Sequence, residues 1–481
     1  MKRYQLFING KFSNASSGET FKVINPSTEE AVSEVPQGTV EDTRKAIDAA
    51  YEAQKGWAKL PAVERAKYLR KIADGIRKNS DMLVTTLVEE QGKTKSLARI
   101  EVDFTADYMD YMAEWARRIE GEVIQSDRPN ENILLYKMPI GVVAGILPWN
   151  FPFFLIARKM APALVTGNTI VIKPSSDTPN NAFEFAKIVA ESELPKGVFN
   201  LVTGKGSVVG NELSSNPKVD MVSFTGSVEA GMKIMEAAAK TVKKVSLELG
   251  GKAPAIVMDD ADIDLAVKSI RDSRIPNTGQ ICNCAERVYV HEKIADEFIS
   301  KMTEAMKNST YGDPMKEDVD MGPLINAQAR ERVDGMVKHA VEEGAELVIG
   351  GRDDKYEKGF FYKPTVLINC KQEMEIMHKE IFGPVLPIMK FKNLDEAIEL
   401  ANDCDYGLTS SIYTQNLDVA MRAANEIKFG ETYVNRENFE AMQGFHAGWR
   451  KSGIGGDDGK HGVEEFLNTH VIYIQYDQEK K

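Results

Sequence analysis

The chain has only four cysteines in 481 residues, at Cys282, Cys284, Cys370 and Cys404. So few thiols in so long a chain exclude the disulfide framework that staples short secreted folds. Cys370 and Cys404 stand alone and read as small buried hydrophobes. Long basic runs are also missing: Lys plus Arg number 60 against 72 for Asp plus Glu, a net charge of −12. That balance argues against a nucleic acid or an anionic membrane as partner. The start, MKRYQLFINGKF, lacks an apolar run of signal-peptide length, which predicts a cytoplasmic chain. Internal repeats and low-complexity segments are absent too. Only residues 138–157, MPIGVVAGILPWNFPFFLIA, are apolar over a bilayer-spanning length, with Asn150 their one strongly polar side chain. Pro148 and Pro152 interrupt them, and the two halves differ in pattern, so a buried strand running into a helix is expected instead.

The length is roughly three times a usual domain of about 150 residues, which predicts two or three domains. Hydrophobic residues make up 43% and charged residues 27%, shares that suit a soluble globular protein. Along the middle, short apolar runs alternate with amphipathic segments: IGVVAGILPWN, then the helix-like FPFFLIARKMAPALVTG closed by Gly167, then NTIVIKP stopped by Pro174. The strands GVFNLVTG, VDMVSFTG and VKKVSLELGG continue the series, with helices between them. Such alternation predicts a parallel sheet covered by helices, the doubly wound α/β architecture. After GGKAPAIVMDD a second α/β series begins. Two segments fit neither: GEVIQSDRPNENILLYKMP reads as a hairpin turning at Arg128 to Asn130, and THVIYIQYD as a lone C-terminal strand. Together they predict an oligomerisation sheet. The N-terminal 115 or so residues read mainly as helices, among them TVEDTRKAIDAAYEAQKGWAKL and AVERAKYLRKIADGIRKN.

Chemistry concentrates in a few places. NTGQICNC, residues 277–284, sets Cys282 and Cys284 one residue apart. A structural zinc needs about four ligands, which this stretch with only His291 nearby does not supply. A dithiol redox pair is normally spaced by two residues. One activated thiol beside a packed neighbour remains, weighed evenly against an inert buried cysteine. VSFTGSVEAG places Gly226 and Gly231 around a strand-to-helix turn, where amide groups suit a phosphate, or where Ser227 merely caps a helix. ILPWNFP and VIKPSSDTP end two further strands and bring Asn150 and Lys173 to the same sheet edge. In LELGGK, Glu248 closes a strand ahead of paired glycines; alone it reads as a solvated loop charge.

Taken in order and spacing, ILPWNFP, KPSSDTP, FTGSVEAG, LELGGKAP, GQIC and EIFGPV resemble the NAD(P)-dependent aldehyde dehydrogenase family over nearly the whole chain. The resemblance implies a doubly wound, Rossmann-like cofactor domain (1–117 and 138–249), an α/β catalytic domain (250–455), and an oligomerisation hairpin and strand (118–137 and 462–481) in a homo-oligomer, dimer or tetramer. It implies Cys282 as nucleophile, Cys284 as bystander, Asn150 and the Cys282 N–H as oxyanion donors, and Glu248 as base for the water that hydrolyses the thioester. For the cofactor, NAD or NADP, it implies Leu147, Trp149, Lys173, Ser176, Gly226, Ser227, Gly231, Leu249, Glu380 and Phe382. No metal is implied.

The chain departs from the family pattern in places. Pro276 stands close before the nucleophile, and Ser176 stands where many NAD-using members carry Glu. That Ser predicts acceptance of both cofactors, with Asp177 as a competing negative charge. Where many relatives read PFGGYKMSG, this chain reads FHAGWRKSG, so His446 replaces an aromatic of the aldehyde pocket. With Arg158, Asn283 and Glu440 it resembles members that oxidise small hydroxylated aldehydes, lactaldehyde or glycolaldehyde. A semialdehyde oxidase, a CoA-acylating reductase and a silent nucleotide-binding protein are the alternatives. The CoA route does not need Glu248, and a silent protein would be expected to lose Cys282, Asn150 or Glu248.

Overall fold

The computed structural model describes residues 1–352 and 355–477. Five parallel strands, Val142–Ile146, Thr169–Lys173, Phe199–Leu201, Met221–Thr225 and Lys244–Glu248, form the centre of an eight-stranded sheet. Numbered along the chain, they lie in the spatial order 3-2-1-4-5, which places a topological switch between Val142–Ile146 and Met221–Thr225. Every residue of the first two strands is buried. Their apolar runs are continuous because both faces are covered. Val142, Ala144, Ile146 and Val171 pack with Ala46, Ile47 and Ala50 of the helix Val40–Trp57. The alternate residues Val143, Ile170 and Ile172 share a core with Phe153, Ile156 and Met160 of the helix Pro152–Thr166. Burying each of these larger side chains contributes about 1.5–3 kcal/mol.

Residues 138–157 are therefore a strand and a helix, and among the described residues no helix is long and apolar enough to cross a membrane. The helix starts with Pro152 in its first turn and ends at Gly167, whose φ of +100° provides the left-handed stop.

The N-terminal segment corrects the expectation of a mainly helical start. The helices Val40–Trp57, with Thr39 and Asp42 forming a capping box, and Ala62–Lys78 are present. Before them, however, come five short strands. Leu6–Ile8 and Lys11–Ser13 extend the large sheet antiparallel, joined by Asn9 and Gly10 at φ 53° and 71°. Lys2–Arg3, Thr20–Ile24 and Ala31–Pro36 make a small separate sheet. These strands span two to six residues, too few for an alternating pattern to register.

A second sheet of seven strands runs Glu346–Arg352, Tyr362–Ile368, Val385–Phe391, Ala285–His291, Ala253–Val257, Thr409–Tyr413, Glu431–Val434, parallel except for its first pair. The third, Leu467–Gln475 with Glu131–Pro139 and Glu122–Gln125, is antiparallel and pairs Gln475 with Glu131 through to Leu467 with Pro139. Its outer residues include Val123 and Tyr473, 75% and 66% exposed. Of the expected segments, residues 353–354 and 478–481 lie outside the described residues.

Candidate active site

The carboxyl ends of the switch-point strands open onto a cavity of about 710 Å³, which the loop before Ala285–His291 closes from the other side. Cys282 stands on that loop. The preceding turn, Pro276–Gly279, holds three consecutive left-handed residues: Asn277 at φ 52°, Thr278 at 60° and Gly279 at 70°. Two of them carry a Cβ, a strain of about 1–3 kcal/mol each that must be held by contacts. Asn277 Nδ2 donates to the carbonyls of Asn150 and Gln280 at 3.2 Å each, Gln91 donates to Asn277 Oδ1, and Thr278 Oγ1 donates to Gly322 O at 2.9 Å. Glycine is required at 279, since a Cβ there would lie 2.3 Å from the Gly383 carbonyl.

Asn150 is buried, its Nδ2 donating to Gln280 O at 3.1 Å. Its own carbonyl accepts from Lys93 Nζ at 2.8 Å. Lys93 is paired with Glu101, and the other Glu101 oxygen accepts from the Phe153 and Phe154 amides at 2.9 and 3.1 Å. That carboxylate thereby satisfies the open amides of the helix Pro152–Thr166.

Glu248, the last residue of its strand, is 2% exposed, and among the described residues neither of its oxygens has a hydrogen-bond partner. Burial pushes the carboxyl up to about 8, with the nearby His446 charge opposing the rise. His446 sits between two carboxylates: Nε2 is 3.7 Å from Glu248 Oε2, and Nδ1 is 2.5 Å from Glu431 Oε1. Burial resists charging the ring, but Glu431 and the Cys282 side chain outweigh it and hold the imidazolium well above the usual histidine range.

Arg158 lies buried in the middle of the helix Pro152–Thr166. Its guanidinium forks onto Asp458, reaches Glu440 at 3.4 Å, and lies 3.8 Å from Asp457. Lys159, fully buried, pairs with Asp457 at 2.6 Å. Asn283 Nδ2 donates to the second oxygen of Glu440. The four polar residues expected in the pocket, Arg158, Asn283, Glu440 and His446, thus line the same cavity as Cys282, Glu248 and Asn150. Sequence reasoning missed Lys93, Glu101, Lys159, Glu431, Asp457 and Asp458. The aromatic wall of Phe104, Phe154 and Phe439 was missed as well.

Cys284 lies beneath the loop, 1% exposed, its thiol donating to Ile281 O at 3.0 Å beside Arg274. Burial pushes it up to about 12, so it remains a thiol. All four cysteines are free. Cys370 is buried, whereas Cys404 is half-buried and accepts from Arg287 at 3.1 Å. No group of three or more His, Cys, Asp or Glu among the described residues is placed to hold a metal ion.

Of the residues expected at the cofactor, Trp149, Gly226, Ser227, Leu249, Glu380 and Phe382 line the cavity. Glu380 accepts from the Gly251 amide at 2.8 Å, and burial, aided by Glu286, pushes it up to about 7. A Cβ at Gly250 would lie 2.6 Å from the Glu380 carboxylate, so that approach requires glycine. Phe382, at φ 52°, meets Trp149 edge-on at 5.5 Å. Glu286, paired with Lys252 and Arg274, accepts from the Ile381 and Phe382 amides and fixes that loop. Ser227 caps the helix Val228–Ala239, and Thr225 Oγ1 in the cavity wall is buried without a partner among the described residues.

Leu147, Lys173, Ser176 and Gly231 do not line the cavity. Leu147 donates to the Lys173 carbonyl at the sheet edge. Lys173 is buried with Nζ on the Pro174 carbonyl, and burial lowers it to about 8 despite Asp177. Ser176 is exposed. Gly231 lies under Leu249, whose side chain is 2.7 Å from where a Cβ would be.

The aldehyde dehydrogenase family profile matches residues 12–472. Lactaldehyde dehydrogenase of Escherichia coli (strain K12) is 63% identical over 474 residues, 98% of this chain and 99% of that one. The crystal structure of lactaldehyde dehydrogenase from Escherichia coli superposes with a TM-score of 0.97, covering 98% of this chain and 99% of that chain. A 3,6-anhydro-L-galactose dehydrogenase in complex with NAP, 45% identical, gives 0.96 and covers 98% of this chain and all (100%) of that one. A strained loop that presents one thiol beside a buried carboxylate at the switch point of a doubly wound sheet agrees with these likenesses, and the chain belongs to the aldehyde dehydrogenase family.

Proposed function

We propose that the chain oxidises a small hydroxylated aldehyde, lactaldehyde or glycolaldehyde, to its carboxylic acid with NAD(P)+ through a thioester on Cys282. The observation that carries this reading is the convergence of Arg158, Asn283, Glu440 and His446 on the cavity of Cys282. These groups are already paired with one another or with Asp458 and Glu431, so an apolar aldehyde would strip the water from their cavity-facing side and return no hydrogen bond, whereas a hydroxyl would return one. A semialdehyde is disfavoured for a different reason. Arg158, Lys159 and His446 face Asp457, Asp458, Glu431 and Glu440, so no positive excess remains for a second carboxylate.

In this reading the Cys282 sulfur attacks the aldehyde carbon, and Asn150 Nδ2 with the Cys282 N–H stabilises the oxyanion. When bound, NAD(P)+ supplies the acceptor for the hydride. Glu248 then takes a proton from the water that hydrolyses the thioester; a carboxyl raised to about 8 takes and returns a proton near neutrality. Lys93 holds the Asn150 carbonyl, and the left-handed turn holds Cys282, so neither group must be reorganised during the reaction. The glycine approach at Gly250, the unpartnered Thr225 hydroxyl and the capped helix at Ser227 fit a dinucleotide, with Trp149, Leu249, Glu380 and Phe382 about its reactive end. Leu147, Lys173, Ser176 and Gly231 serve its far end along the sheet edge. Ser176, lacking the charge of a Glu, admits both NAD and NADP.

The same reading divides the chain into the cofactor, catalytic and oligomerisation parts expected from sequence. The strand Gly453–Ile454, which pairs with Lys244–Glu248, joins the cofactor sheet rather than the catalytic one. The exposed apolar residues of the third sheet favour a homo-oligomer assembled through it.

The test is kcat/KM for lactaldehyde, glycolaldehyde, succinic semialdehyde and hexanal in the parent and in His446→Phe. The two hydroxyaldehydes should lead in the parent, and the variant should lose on them while sparing or improving hexanal. An unchanged ranking would remove the polar pocket from substrate recognition.

A further inference from the structure

Glu431 begins the edge strand Glu431–Val434 of the second sheet and does not line the cavity. Its Oε1 nevertheless lies 2.5 Å from His446 Nδ1, and its Oε2 accepts from Tyr433 at 2.5 Å. Backbone bonds between His446 and Asp457, 3.0 and 2.8 Å, fix the histidine from behind. The groups facing the ring are Glu431, Glu248, Cys282, Arg158 and Asp458, and Asp457, Lys159 and Arg158 also act on Glu248. Nδ1 thus donates to a carboxylate at hydrogen-bond distance and Nε2 lies 3.7 Å from a second one, an arrangement that favours the doubly protonated ring. We propose that Glu431 is a positioning residue of the reaction: by gripping Nδ1 it holds His446 as a cation whose Nε2 edge supplies the counter-charge for the Glu248 carboxylate.

This rests on the reading of Glu248 as base, and it goes beyond the pocket role of His446. Glu248 has no hydrogen bond to stabilise its anion, and its burial favours the neutral acid. The His446 charge is the largest influence opposing that. Without Glu431, burial strips the proton from His446. Glu248 then ionises only at higher pH. Because hydrolysis of the thioester needs the ionised form, the rising limb of the turnover profile moves up, and each unit of movement is about tenfold in rate below the limb.

The experiment compares the pH profile of steady-state turnover, and the size of the initial burst of reduced cofactor, in the parent and in Glu431→Gln. Both glycolaldehyde and propanal serve as substrates. The expected result is a retained burst, turnover at pH 7 lowered about tenfold, convergence with the parent at high pH, and the same displacement for both aldehydes. Propanal has no hydroxyl, so it tests Glu431 independently of the substrate reading. That reading fails if the parent ignores glycolaldehyde, while the propanal profile still decides this one. Displacement with glycolaldehyde alone would overturn the proposal, since Glu431 would then act through the substrate. In a His446→Gln background, Glu431→Gln should add no further displacement, and an added shift would overturn the relay. Should Glu431→Gln fail to fold, Glu431→Asp keeps the charge but draws it back from Nδ1, and should show a smaller displacement in the same direction; no displacement would overturn the proposal.

Discussion

Replacing Lys93 by Met tests whether the oxyanion donor is held from behind. Lys93 and Glu101 are fully buried, ion-paired with one another, and Lys93 also donates to the Asn150 carbonyl at 2.8 Å. Burial pushes the ammonium down, and Glu101 holds it up. Removing one member of a buried ion pair strands the other charge and costs about 3–5 kcal/mol. Glu101 would keep its two amide partners, Phe153 and Phe154, which places the expected loss toward the lower end, about 3 kcal/mol. In Lys93→Met/Glu101→Gln a neutral amide oxygen still accepts from those amides, so much of the loss should return. Urea unfolding of the parent, both single variants and the double variant measures the cycle. Steady-state kinetics reads the second consequence: with its carbonyl released, Asn150 drifts, and kcat falls by up to about a hundredfold while KM changes little. Lys93→Met within about 1 kcal/mol of the parent, with kcat unchanged, would refute both the buried-pair argument and the positioning of Asn150.

Two further outcomes follow from the site. Cys282→Ala should abolish dehydrogenation while Cys284→Ala leaves it largely intact, because Cys284 is a buried thiol beside Arg274; equal losses measured by cofactor reduction would end the single-nucleophile reading. Ser176→Glu should lower kcat/KM for NADP about tenfold or more while sparing or improving NAD, since a charged hydrogen bond is worth about 1.5–3 kcal/mol. A parent that rejects NADP as strongly as the variant would shift selection to Asp177.

The two parallel sheets were legible because buried strands appear as unbroken apolar runs ended by Pro or Gly, as at Pro174 and Gly226. The N-terminal strands were not, although the Asn9–Gly10 pair, both residues left-handed, is a hairpin signal in its own right. Motif order brought Cys282, Glu248, Asn150 and the four polar pocket residues to one cavity. It said nothing of what holds them. Lys93 is 57 residues from Asn150, and a lone lysine in a sequence reads as a solvated charge.

One anomaly did point inward, and it shows what kind of signal remains to be used. The helix Pro152–Thr166 is buried along its whole length, yet Arg158 and Lys159 sit in its middle among Phe, Leu, Ile and Met. Adjacent helical residues diverge by about 100°, so two neighbouring cations on such a helix cannot both escape to solvent. Each must find an anion inside, because an unpaired buried charge costs far more than a fold can spare. One way to meet two adjacent, diverging cations is a pair of carboxylates presented side by side on a single loop. The chain offers these at Asp457 and Asp458, between glycines near its C-terminal end. In the fold Asp457 takes Lys159, and Asp458, at φ 71°, turns to fork with Arg158. The strain of that left-handed aspartate is thus the consequence of matching two neighbouring cations from one loop. It ties the floor of the pocket to the segment that carries His446.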